Sequence, residues 1–145
     1  MGQTDVIGER GGGTQAFARG LVVAACAASA GAHAGLVPEH LREAPQLGVA
    51  FIVSVVLLLA VAAAIVIYPA DRRIVLAAAL LFGGLIVAYV ASRTTGLPWL
   101  EPHPESADAV GLATKGVEVL GFLFCLTLTK PGGSRTPPMT QEVNP

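Results

Sequence analysis

Charged side chains are scarce in this sequence. Asp, Glu, Lys and Arg make up only 13% of its 145 residues, whereas 53% are hydrophobic. Soluble domains carry about 25% charged residues, so the composition excludes an ordinary soluble domain and favours a protein embedded in a lipid bilayer. The net charge is −1 and no basic stripe is interleaved with aromatic residues, which excludes nucleic acid as a partner.

Cysteines and enzyme motifs are also scarce. The two cysteines, Cys26 and Cys125, both lie inside apolar runs and form no C-x-x-C pair, so we expect small buried thiols rather than a redox site. The sequence contains no G-x-S-x-G, no H-E-x-x-H and no phosphate-binding G-x-x-x-x-G-K. We therefore expect a protein that is not an enzyme.

Long apolar runs are what the sequence does contain. At 1.5 Å per residue, about 20 apolar residues in a helix cross the roughly 30 Å of hydrocarbon in a bilayer. Such runs predict an all-α fold, an integral membrane bundle of four transmembrane helices in two hairpins. The predicted spans cover residues 16–37, 46–68, 74–91 and 109–129. The predicted outer loops are 38–45 and 92–108, and polar, Gly- or Pro-rich composition predicts disordered tails over 1–15 and 130–145.

Three features of the first span and the residues after it can be interpreted in more than one way. Gly31 and Gly35 form a G-x-x-x-G pair that allows another helix to approach closely, unless it reflects only the Ala/Gly bias of the segment. The A-x-A pattern ending at Ala34 also fits cleavage of a signal peptide, which would remove His33. Pro38 suits the first position of a separate short helix that ends before residue 45.

The distribution of basic residues predicts the orientation. One side of the predicted membrane holds Arg10, Arg19, Arg72, Arg73, Lys130 and Arg135, and the other holds Arg42, Arg93 and Lys115. Since Lys and Arg accumulate on the cytoplasmic side, we expect both termini to be cytoplasmic. All three histidines then lie on the extracytoplasmic side of the cell membrane.

The fourth span carries ionisable residues at helical spacing. Asp108, Lys115 and Glu118 fall within one stripe, and Glu118 lies about two turns inside the span. A charge at that depth faces a bundle interior, where a partner satisfies it. We expect Lys115 as that partner, with Arg93 as the second choice, and the pair either fixes helix register or handles a ligand or proton. Two serines within apolar helices, Ser29 and Ser54, are expected to bond back to the preceding turn.

Two candidate sites follow from these residues. The first is a pocket for a partner or small ligand, formed by Arg93, Asp108, Lys115, Glu118 and Glu39 and covered by Trp99. The second is a transition-metal or haem site formed by the three histidines, since imidazoles accept such metals. These histidines are His33, His40 and His103.

Three stretches carry a resemblance to known sequences. They are His33…Leu36-Val37-Pro38-Glu39-His40-Leu41-Arg42-Glu43, then Ser92-Arg93-Thr94-Thr95-Gly96-Leu97-Pro98, then Glu101-Pro102…Asp108…Gly111-Leu112…Glu118. The chain resembles a group of small multi-span membrane proteins of actinobacterial type. The resemblance implies a membrane location and a shared outer surface, and it implies no reaction.

Taken together, these observations predict a non-enzymatic membrane protein with an outward-facing polar pocket. Its expected partners are the lipid bilayer and either another membrane protein or further copies of the chain. No cofactor is expected, with a metal or haem as the alternative. A small ion- or proton-coupled transporter component is the third hypothesis, although the two halves show no internal repeat.

Overall fold

The fold is a bundle of four long helices. The computed structural model describes residues 5–98, 100, 104 and 106–129. Its helices are α1 (Asp5–Glu43), α2 (Pro45–Ile67), α3 (Arg72–Thr94) and α4 (Ala109–Thr129). Within the described chain, all four are long and apolar enough to cross a membrane, with mean hydropathies of 1.7, 3.2, 2.6 and 1.7. This confirms the predicted fold class.

Helix α1 is longer than the sequence predicts at both ends. It begins at Asp5, within the predicted tail over 1–15, and it continues through Pro38 to Glu43. Extending an existing helix is much less costly than starting one, so an apolar span can continue into residues of low propensity. The separate short helix predicted to start at Pro38 is wrong, and residues 38–45 form no extended loop.

Contact between α1 and α2 accounts for the helical residues beyond Pro38. A single residue, Ala44, connects the two helices, and its backbone N–H donates to the carbonyl of His40 at 2.8 Å. Gly48 allows the helices to meet here, because a Cβ on it would lie 2.7 Å from the backbone nitrogen of Leu41. Proline removes one helical hydrogen bond, and this packing offsets that loss.

The helices run alternately up and down, and each packs mainly on selected neighbours. Helix α1 has its most extensive contact with α2 and also packs on α4, whereas α3 packs on α4 and only slightly on α2. The buried apolar core consists of small and medium side chains: Val22, Ala25, Cys26, Ala30, Leu58, Ala62, Ile65, Val75, Ala78, Ala79, Phe82 and Cys125. The slight contact between α2 and α3 leaves room for a cavity.

Small residues bring α4 onto its neighbours. A Cβ on Gly121 would lie 2.7 Å from the Phe82 ring and 3.0 Å from the Cβ of Ala25, so α3 and α1 both approach α4 at this glycine. The thiols of Cys26 and Cys125 are free and buried in the same core. The expected role of the cysteines as small apolar residues agrees with this placement.

The outer surface of the bundle is apolar. Large side chains such as Leu80 and Val56 are 78% and 60% exposed, which is the pattern of a surface that faces lipid. A Cβ on Gly31 or Gly35 would meet no other residue within 4 Å. The G-x-x-x-G pair therefore packs against no other described helix of the chain, and its use between copies of the chain stays a prediction.

Candidate functional site

A carboxylate lies deep inside the bundle. Glu118 is 0% exposed and lies nine residues after the start of α4, about 14 Å along the helix axis at 1.5 Å per residue. An ionised group at such depth is costly unless hydrogen bonds and opposite charge compensate it. The surroundings of Glu118 supply both.

Three donors satisfy the two oxygens of Glu118. The hydroxyl of Ser29 donates to Oε1 at 2.7 Å, and Nε2 of His33 lies 3.2 Å from the same oxygen. The ammonium of Lys115 donates to Oε2 at 2.5 Å. Two of these donors come from one face of α1, since Ser29 and His33 are four residues apart, and the third lies one turn away on α4.

The sequence predicted this group only in part. Lys115 is confirmed as a partner of Glu118, and His33 is buried in the interior of the bundle. The expectation for Ser29 is wrong, because its hydroxyl bonds across to α4 rather than to its own helix. Ser54 does bond back, donating to the carbonyl of Ala50 at 2.9 Å. Ser29 faces the buried carboxylate, so a polar partner on another helix competes successfully with its own backbone.

The hydrogen bond to Glu118 fixes the tautomer of a neutral His33. A carboxylate paired with an ammonium only accepts hydrogen bonds, so Nε2 of His33 carries the proton and donates. Nδ1 then carries a lone pair. This atom is buried and has no hydrogen-bond partner among the described residues, and the His33 residue is only 5% exposed.

Lys115 and Arg93 lie on the ring of one tyrosine. The Lys115 Nζ is 5.4 Å and the Arg93 Cζ 4.9 Å from the ring centroid of Tyr89, distances at which cations are attracted to aromatic faces. Lys115 also donates to the carbonyl of Leu85 at 3.5 Å. Arg93 pairs with Asp108 at 3.2 Å. Tyr89 was not predicted as a site residue, because only its position on α3 beside the two cations of Arg93 and Lys115 indicates this role.

Asp108 orders the start of α4. Its Oδ1 accepts the N–H of Gly111 at 2.7 Å, the pattern of a helix N-cap. This backbone hydrogen bond, with the Arg93 guanidinium beside Oδ2, holds the pKa of the Asp108 carboxyl below its usual range. The lack of a side chain at Gly111 lets Tyr89 pack closely against the start of α4, because a Cβ there would lie 3.2 Å from the tyrosine hydroxyl.

These residues surround a cavity of about 690 Å³. It lies at the end of the bundle where α1 and α3 end and α2 and α4 begin, which we call the cavity end. Its polar lining comprises His33, Glu39, His40, Glu43, Ser54, Tyr89, Ser92, Arg93, Ser106, Asp108, Thr114 and Lys115. Its apolar lining includes Leu36, Leu47, Ala50, Phe51, Leu85, Ala88, Leu97 and Leu100. This volume lies within the range of about 300–1,000 Å³ that small-molecule sites occupy.

One aromatic ring joins the two described histidines. The ring centroid of Phe51 lies 5.3 Å from that of His33 and 4.8 Å from that of His40. The carbonyl of Leu36 lies 2.9 Å from Nδ1 of His40 and can only accept, so this nitrogen carries the proton and donates. Phe51 was not among the residues selected from the sequence, since an apolar residue in an apolar span gives no signal.

The predicted site residues are only partly covered by the structure. Arg93, Asp108, Lys115 and Glu39 line the cavity, and Glu118 lies under Lys115. Trp99 and His103 lie outside the described residues. Among the residues described, no group of three or more His, Cys, Asp or Glu side chains is arranged to hold a metal ion. Metal or haem binding by the three histidines stays a prediction.

The fold and this lining define a class: a four-span, all-α integral membrane protein with a polar cavity at one end of its bundle. No known protein family, curated protein or solved structure matches the chain. The resemblance to actinobacterial-type membrane proteins therefore stays a prediction, as does the side of the membrane that each end faces.

Proposed function

We propose that this chain is a non-enzymatic membrane protein that binds a small organic ligand in its cavity. The observation that supports this proposal is a cavity of 690 Å³ whose lining combines polar and apolar side chains. Small-molecule sites in proteins likewise combine apolar surface with polar groups that fix the orientation of the ligand. We place the cavity end on the extracytoplasmic side, from the distribution of Lys and Arg.

The role of the buried network in this proposal is positioning. Glu118 holds Lys115 and His33 at the floor of the cavity, and each of these side chains also lines it. A buried network of this kind is rigid, because breaking one of its hydrogen bonds is costly in a medium of low dielectric constant. Rigid polar groups lower the entropy cost of binding a ligand.

A variant that fills the cavity tests this function. Ala50 lines the cavity, so Ala50→Phe reduces its volume, whereas Ala60→Phe places the same side chain on the exposed face of α2. Each protein is purified in lipid nanodiscs, and mass spectrometry identifies small molecules bound in stoichiometric amount. We expect a bound compound with the wild type and Ala60→Phe and its loss with Ala50→Phe. Identical extracts from all three proteins would contradict the proposal.

A proton- or ion-coupled role is the second candidate, favoured by the position of Glu118 between Lys115 and His33. Carboxylates and histidines inside membrane proteins form proton relays. Proteoliposomes with a pH-sensitive dye inside would report proton flux in the wild type that Glu118→Gln abolishes. If flux is the same in both and in empty liposomes, this second candidate is wrong.

A further inference from the structure

The charged side chains that line the cavity differ in whether they have partners. The ammonium of Lys115 is bonded to Glu118 at 2.5 Å, and the guanidinium of Arg93 is paired with Asp108 at 3.2 Å. Both cations also lie on the Tyr89 ring. An anionic ligand would therefore meet two cations whose charge a carboxylate already compensates.

Two acidic residues at the cavity mouth are in the opposite situation. Glu39 and Glu43 line the cavity, are exposed, and form no ion pair in the described part of the chain. They lie four residues apart on α1, where like charges repel each other. Arg42 lies between them in sequence but does not line the cavity. Among the described residues, the carboxylates of Glu39 and Glu43 at the mouth are therefore uncompensated, and such negative charge attracts cations.

A buried acceptor atom lies beside the floor of the cavity. In the neutral imidazole, Nε2 of His33 donates to Glu118 and Nδ1 carries a lone pair, and no group in the described chain donates to Nδ1. His33 is more than nine-tenths buried and lines the cavity. A buried acceptor without a partner costs about 1–3 kcal/mol, so a ligand whose N–H or O–H group reaches Nδ1 gains affinity there.

The distance between His33 and Glu39, and the Phe51 ring that lines the cavity between them, restrict the size and shape of the ligand. His33 and Glu39 are six residues apart on α1, about 9 Å along the axis. Phe51 lies beside His33 and lines the same wall, so a flat apolar body can pack against its ring between the two polar ends.

From these observations we propose that the ligand is an amphipathic organic cation, a protonated amine with an aromatic or similar apolar body and a hydrogen-bond donor at its far end. Its ammonium lies between Glu39 and Glu43, its body packs against Phe51, and its distal donor bonds to Nδ1 of His33. This inference rests on the proposed function, because it names the chemical class of ligand for the same cavity.

Three probes of matched size separate the contributions. Tyramine has an ammonium and a distal hydroxyl, phenethylamine lacks the hydroxyl, and 3-(4-hydroxyphenyl)propionate replaces the ammonium with a carboxylate. Binding is measured by isothermal titration calorimetry on the full chain in nanodiscs. We expect tyramine to bind most tightly, phenethylamine more weakly by about fivefold, and the acid at least tenfold more weakly than tyramine.

Substitution of the mouth carboxylates tests the position of the ammonium. Glu39→Gln combined with Glu43→Gln removes both charges from exposed positions and is expected to weaken tyramine binding about tenfold. Asp71→Asn is the matched control, because it makes the same acid-to-amide change at the opposite end of the bundle. In the wild type, tyramine affinity is also expected to fall as NaCl is raised, since salt screens exposed charges.

The outcomes distinguish this inference from the function on which it rests. Binding of the acid as tight as that of tyramine, with loss of both in Ala50→Phe, would leave the ligand cavity in place and overturn its preference for cations. Tyramine binding that is unchanged in the double variant and independent of salt would also overturn it. If no probe binds, the inference is wrong, and the nanodisc extracts decide separately whether the cavity holds any ligand.

Discussion

Removing the buried charge of Glu118 should destabilise the bundle strongly. Glu118→Gln keeps an oxygen for Ser29 and His33 but places an amide N–H₂ against the ammonium of Lys115, which is then left without its counter-charge. Breaking a buried ion pair on one side costs about 3–5 kcal/mol. Lys115→Met alone leaves the carboxylate without its cation and should cost a similar amount.

A double variant measures the coupling free energy between Lys115 and Glu118. Lys115→Met with Glu118→Gln leaves no unpaired charge, so it should cost less than the sum of the two single changes by about 2 kcal/mol. The free energy of unfolding is measured by SDS-induced unfolding in mixed micelles, followed by circular dichroism. As a control, Glu118→Gln combined with Asp71→Asn at the far end should be additive within about 0.5 kcal/mol.

Additive costs for Lys115→Met and Glu118→Gln would refute this reasoning. They would mean that the two groups do not compensate each other, although their atoms lie 2.5 Å apart. The proposed positioning of the cavity floor by Glu118 would then have no energetic basis.

Three further predictions address packing, helix capping and orientation. Gly121→Val should lower the thermal midpoint by several degrees in detergent, because its Cβ would lie 2.7 Å from the Phe82 ring. As the control, Gly84→Ala should be neutral or slightly stabilising, because a Cβ there meets nothing within 4 Å. Equal effects of the two substitutions would contradict the packing of α3 on α4. Asp108 has a lower pKa in the folded state than in the unfolded chain, so its contribution to stability is complete above the unfolded value of about 3.9 and is lost as pH falls through the folded value. The difference in thermal midpoint between the wild type and Asp108→Asn should therefore shrink below about pH 4, and a difference that grows there would be inconsistent with the cap. For orientation, a C-terminal fusion to alkaline phosphatase should be inactive and one to green fluorescent protein should fluoresce; the reverse pattern would place the cavity end in the cytoplasm.

Several features of the candidate site could be predicted from the sequence. The spacing of Lys115 and Glu118 on one helix makes their contact local, so the pattern alone identified the pair. Asp108 was selected because it falls within the same helical stripe, and Arg93 was selected as a second possible partner of Glu118. Ser29 was interpreted wrongly, because its partner lies 89 residues away and local hydrogen bonding was the only alternative that the sequence offered.

The sequence by itself determined the class of this protein. Each span is long and apolar, and a helix satisfies its backbone hydrogen bonds within its own segment, so the spans could be read without knowing their neighbours. Tertiary structure decided two features: the continuation of α1 through Pro38, and the formation of the cavity. Whether a helix continues through a proline depends on the packing of α1 on α2, and which side chains meet Glu118 or surround Phe51 depends on helices far apart in sequence. Such contacts leave no periodic pattern, because they are set by how whole helices pack rather than by local spacing.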